Sequence, residues 1–258
     1  MGSIGRLHNK VSVITGAASG IGKAVCMRFL QEGAKVILVD KNESLLIETH
    51  TLLKEKFPSK VGFASGDVGN ESFASDVFSK VHDQFSDPCT VLVNSAGLGI
   101  SSLVQYTSVE QFDYVVNVNL KGTFIFTKHF LAAFKNKNEI CLDLKPSIIN
   151  VSSLAGKIGM SHSASYAAAK SGVIGFTKST CLEVAKHGIR CNAVLPGFID
   201  TPLLESINKK YLQASIQMNP MKRLGQPVEV ANVCLFLACD ESSYVNGASI
   251  EVTGGLGA

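Results

Sequence analysis

The chain has 258 residues, 46% of them hydrophobic, enough to bury a large core in one unit. A formal net charge of +3 from scattered basic residues gives no patch for nucleic acid, and no apolar run approaches the roughly 20 residues of a membrane span. Seven Cys without a C-x-x-C pair read as reduced, buried thiols, not as a disulfide framework or a metal site.

In chain order, the first ten residues carry Arg6, His8 and Lys10 before the first acid, Glu32. That bias is faintly presequence-like, but a strand starting near Lys10 leaves a cleavable leader almost no room. Strand-like β-branched runs then alternate with helical patterns. Val11–Thr15, Lys35–Asp40, Val61–Ser65 and Thr90–Asn94 read as strands, separated by helices over Ile21–Gln31, Ser44–Lys56 and Phe73–Phe85. A long helix over Val109–Phe134 and a polar connection over Lys135–Pro146 follow. Ser147–Ser152, Arg190–Leu195 and Ala248–Thr253 complete the strands, with helices over Tyr166–Lys186 and Pro227–Cys239. About seven nearly all-apolar strands alternating with helices predict an α/β fold: a single-domain, doubly wound parallel sheet with helices on both faces. Residues 200–226, which include a helical stretch over Leu203–Met218, follow the carboxyl end of a strand and are a candidate lid.

The turn from Thr15 to Gly22 joins the first strand to the first helix with the spacing G-x-x-x-G-x-G. Gly16 permits a tight turn, while Gly20 and Gly22 let a phosphate and the sheet approach the helix N-terminus, whose N–H groups and dipole favour a pyrophosphate. Such a turn is also found as plain structure. Asp40 ends the second strand and suits the two ribose hydroxyls of NAD, repelling the 2′-phosphate of NADP. Lys41 complicates that reading, and helix capping is the competing role for Asp40. Asp67 after the third strand and Asn94-Ser95-Ala96-Gly97 after the fourth would meet the adenosine side of the cofactor, or form ordinary turns.

Tyr166 and Lys170 stand four residues apart at a helix start, so they share a face. A nearby ammonium favours a phenolate and would bring the Tyr toward general acid–base work near neutrality. Chance alone produces many such pairs. Ser153, 13 residues before Tyr166, would hydrogen-bond the reacting oxygen, with Ser152 as the rival assignment. Asn119 is a mediocre helix former inside the long helix. It reads either as a kink that holds a water relaying protons to Lys170 or as a local backbone hydrogen bond with no catalytic part.

Taken together, these motifs resemble the short-chain dehydrogenase/reductase family along nearly the whole chain. The resemblance rests on Thr15–Gly22, on Asn94–Gly97, on Asn119, on Ser153 with Tyr166 and Lys170, and on Pro196-Gly197 with Thr201. It implies Tyr166 as acid/base, Ser153 as orienter, Lys170 as pKa tuner and ribose ligand, and Asn119 as relay anchor. It also implies a cofactor site of Gly16, Ser19, Gly20, Ile21, Gly22, Asp40, Asp67, Val68, Asn94, Ala96 and Gly97, joined by Pro196, Gly197, Ile199 and Thr201. Ser147–Ser153, His187–Asn192, Val194–Ile199 and Glu251–Leu256 are similar to the family's 17β-hydroxysteroid dehydrogenases and 3-oxoacyl-[acyl-carrier-protein] reductases. That branch implies NAD, a lipid-like steroid or acyl thioester substrate, a homotetramer or a heterotetramer with a related subunit, and a mitochondrial matrix setting, with the cytoplasm as alternative. Carrier-protein reductases have an Arg where Leu182 precedes Glu183, so carrier docking would rely on Lys135, Lys137 or Lys145. The rival functions are a polyol or hydroxy-acid dehydrogenase and a non-catalytic dinucleotide-binding sensor or scaffold.

Overall fold

The computed structural model describes residues 5–134, 144–207 and 209–258. Seven parallel strands form one sheet in the order β3-β2-β1-β4-β5-β6-β7. They are β1 Val11–Thr15, β2 Lys35–Asp40, β3 Val61–Ser65, β4 Val91–Asn94, β5 Ser147–Val151, β6 Arg190–Pro196 and β7 Ser249–Val252. β1 has β2 on one side and β4 on the other, so the winding direction reverses between β1 and β4. Ligands of such sheets bind beyond the carboxyl ends of the strands at that reversal.

Alternation along each strand sorts side chains to two cores. Ile14, Val36 and Leu38 pack with α1 (Gly20–Gln31), α2 (Glu43–Lys56) and α9 (Pro227–Ala238). Val13, Ile37 and Val39 pack on the other face with α3 (Glu71–Phe85), α5 (Gly122–Ala132) and α7 (Ala164–Val184). Phe126 and Phe130 of α5 are fully buried there, so truncating either to Ala costs about 3–5 kcal/mol. The remaining helices are α4 (Val109–Val116), α6 (Ala155–Ile158) and α8 (Lys209–Met218). The six described cysteines are free and buried, as the composition suggests.

Two helical expectations need correction. The helix over Val109–Phe134 is interrupted: Asn117–Lys121 forms a π-turn between α4 and α5. Asn119 Nδ2 donates both to Val115 O and to Leu98 O, drawing the helix toward the loop after β4. The stretch Leu203–Met218 is a 3₁₀ turn, Pro202–Ser206, followed by α8. The Lys135–Pro146 connection falls mostly outside the described residues, as do Lys135 and Lys137. The basic N-terminal residues have structural partners: Arg6 pairs with Glu32 and Glu241, and Lys10 donates to Leu144 O and lies near Asp240.

Candidate active site

The glycine turns after β1 and β4 open a cleft at the carboxyl ends of the central strands. Gly16 holds φ +67°, and a Cβ there would meet Ala96 at 2.9 Å, so glycine is required where the two turns touch. Thr15 fixes the contact from below, its Oγ1 accepting from Ser95 N and Ala96 N, both at 3.0 Å. Ser19 begins α1 without a side-chain cap and no acid lies in its first turn, whereas Asn42, Asn70 and Ser108 cap α2, α3 and α4. The first N–H groups of α1 therefore face the cleft with the dipole's positive end, the arrangement a pyrophosphate needs.

Gly16, Ser19, Gly20, Ile21 and Gly22 line this end of the cleft, with Asp40, Asp67, Val68, Ala96 and Gly97 beside them. Pro196, Gly197, Ile199 and Thr201 form the far wall. Asn94 departs from expectation. Its side chain is buried, donating to Thr127 Oγ1 at 3.2 Å and Asn150 Oδ1 at 2.9 Å, so it ties β4 to β5 and α5 and does not line the cleft. The reading of residues overlooked Thr15's bracing hydroxyl, and Gly66, Leu98, Val118 and Val151 as lining. A Thr at the end of β1, immediately before the glycine turn, is the signal that would have found the first.

Asp40 does not cap α2; Asn42 does, accepting from Leu45 N. The Asp40 carboxylate accepts from Ala18 N at 3.1 Å and Asn42 N at 2.9 Å, which fixes it at the cleft edge.

At the other end, Ser153 and Tyr166 both line the cleft, with the Ser153 hydroxyl near enough to exert a weak downward pull on the Tyr166 phenol. Ser152 is distinguished from its neighbour: its buried hydroxyl donates to Lys170 O at 2.8 Å, tying β5 to α7. Ser153 Oγ accepts from Ala155 N at 3.1 Å and stays on the lining. Lys170 Nζ donates to Val151 O at 2.8 Å and lies 5.7 Å from the centre of the Tyr166 ring. Burial pushes the Lys170 ammonium down to about 8. Burial also pushes the Tyr166 phenol above its ordinary value, against the weaker pull of the Ser153 hydrogen bond. Lys170 exerts no such pull on the Tyr166 phenol here: its ammonium is aimed at the Val151 carbonyl, and desolvation sets the direction.

Asn119 is completely buried and off the cleft lining. Its Nδ2 makes the local bond to Val115 O, while its Oδ1 has no hydrogen-bond partner among the described residues. A Cβ on Gly97 would meet that Oδ1 at 2.7 Å and Lys170 Nζ at 3.3 Å, so the two polar groups face the same small gap.

The lid reading of residues 200–226 places two side chains at the site: Leu203 and Leu204 line the cleft. Met218 is 74% exposed, so the apolar stripe is not simply core-facing. The segment's ends are clasped, Asp200 N donating to Gly225 O and Gly225 N to Phe198 O.

A family model described as enoyl-(acyl carrier protein) reductase matches residues 16–257. The chain belongs to the short-chain dehydrogenase/reductase family. It is an oxidoreductase of that family, whose cofactors are nicotinamide dinucleotides. It is 40% identical to the (3R)-3-hydroxyacyl-CoA dehydrogenase of Homo sapiens, over 97% of each chain. It is 43% identical to the 3-oxoacyl-[acyl-carrier-protein] reductase of Thermotoga maritima, over 97% of this chain and 99% of that one. A crystal structure of 3-ketoacyl-(acyl-carrier-protein) reductase from Brucella melitensis complexed with NADH superposes with a TM-score of 0.87 at 29% identity, covering 96% of this chain and 98% of the other.

Proposed function

We propose that this short-chain dehydrogenase/reductase is an NAD-dependent 3-hydroxyacyl/3-oxoacyl thioester oxidoreductase. The observation that carries the reading is one cleft with Asp40 at one end, Ser153, Tyr166 and Lys170 at the other, and Leu203 and Leu204 along its side. The glycine turn and the uncapped start of α1 fit a dinucleotide, and Asp40 favours the free ribose hydroxyls of NAD. Bound NAD(H) supplies the hydride donor or acceptor. The Tyr166 hydroxyl then exchanges a proton with the substrate oxygen while Ser153 hydrogen-bonds that same oxygen and fixes its position. Lys170 holds the nicotinamide ribose and, near its balance point of about 8, passes protons toward the gap it shares with Asn119.

The names of the two relatives support the acyl chain, and the apolar leucines suit it better than a polyol. Leu182 is 81% exposed where a carrier-protein reductase has Arg, and Lys145 pairs with Asp240 at 2.8 Å. Both favour a coenzyme A thioester over a carrier-bound one. The exposed Tyr106, Val109 and Phe124 support a homo-oligomer, while the mitochondrial setting rests on the resemblance alone. The test is a panel of (3R)-3-hydroxybutyryl-CoA, acetoacetyl-CoA, estradiol, testosterone and a polyol, each with NAD(H) and NADP(H). The highest kcat/KM is expected for the thioesters with NAD(H). Preference for a steroid or polyol overturns the substrate, and preference for NADP(H) overturns the cofactor.

A further inference from the structure

Lys41 follows Asp40 at the cleft edge, where an ammonium would offset the carboxylate and welcome a 2′-phosphate. It is not free to do so. Its Nζ donates to the Tyr114 hydroxyl at 2.5 Å and sits 5.3 Å from the centre of the Tyr114 ring. Tyr114 belongs to α4 and meets Lys41 from a distant part of the sequence. Asp40, by contrast, is fixed by two backbone N–H groups and keeps its charge toward the cleft.

We propose that Tyr114 is a specificity-determining residue, holding the Lys41 ammonium away from the ribose position beside Asp40 and so disfavouring a 2′-phosphate. This rests on the reading that Asp40 meets the adenosine ribose. The ring face and the hydroxyl act together: the π-face attracts the cation and the oxygen accepts its proton. Released from Tyr114, the long Lys41 stem has the reach and rotamer freedom to approach a phosphate at that ribose.

The test is a double-mutant cycle read by fluorescence titration of NADH and NADPH. Tyr114→Ala is expected to tighten NADPH roughly three- to fivefold, the strength of an exposed cation–π contact, and to leave NADH unchanged. Tyr114→Phe, which keeps the ring, is expected to give a smaller gain. Lys41→Ala in the Tyr114→Ala background is expected to erase the gain, while Lys41→Ala alone changes NADPH binding little. A gain that survives Lys41→Ala, or no gain in Tyr114→Ala, overturns the clamp. Wild-type affinities for the two cofactors test the NAD preference separately, because the Lys41 dependence is read whichever cofactor the wild type prefers.

Discussion

At the amino ends of the strands, Arg190 directs its guanidinium to the carbonyls of Leu237, Cys239 and Val245, closing the C-terminus of α9 with a cation. Lys10 donates to Leu144 O, Lys145 pairs with Asp240, and Arg6 bridges Glu32 and Glu241. At the carboxyl ends, α1 starts uncapped, Asn119 Oδ1 has no hydrogen-bond partner among the described residues, and Ser153 and Tyr166 turn toward the cleft. One edge of the sheet uses its polar groups to hold the fold, and the other leaves them for something that arrives from outside. The contrast teaches where to look for chemistry in such a sheet: where hydrogen-bonding capacity is left over, not where charge is densest.

The sharpest way to break that contrast is Tyr166→Phe. It is expected to lower kcat by on the order of a thousandfold, with NADH binding and the urea midpoint unchanged. Because burial holds the Tyr166 phenol above its ordinary value, the protonated acid is the form present at neutral pH. Carbonyl reduction should therefore fall and alcohol oxidation rise as pH climbs, which paired pH–rate profiles in the two directions check. At the opposite edge, Arg190→Met is expected to cost about 2–4 kcal/mol in urea unfolding by leaving three carbonyls without their donor, with kcat per folded molecule preserved. Neighbouring serines carry the comparison to its finest scale. Ser153→Ala should reduce kcat on the order of a hundredfold with little change in stability. Ser152→Ala should cost about 1 kcal/mol of stability and leave most of the activity. If the two serines exchange these phenotypes, the assignment of structure to one and chemistry to the other fails.

Much of the fold was legible because buried parallel strands announce themselves: β1, β2 and β3 run over the residues their apolar pattern marks. The π-turn at Asn117–Lys121 was legible only as a kink at Asn119, a poor helix former; its form was not, because the apolar pattern continues through it and the bond from Asn119 across to Leu98 O comes from a distant loop. Within the site, spacing placed Tyr166 and Lys170 on one face but not the direction of Lys170 Nζ, which depends on the Val151 carbonyl of a different element. The N-x-A-G pattern marked the turn after β4 correctly yet attributed a cleft position to Asn94, whose partners Thr127 and Asn150 come from elsewhere in the chain. Likewise nothing local to Lys41 points to Tyr114.

β7 carries a consequence for biosynthesis. The buried Asn192 side chain depends on Val245 O and Ala248 N, and Arg190 on carbonyls in and after the last turn of α9, so the first half of β6 has all its polar partners only once the segment leading into β7 has emerged. Until then a nascent chain holds an amide and a guanidinium that are costly to bury. A chain cut short before Val245 is expected to be destabilised by these unpaired groups, so the last strand acts as a closing seal on the interior of the one before it.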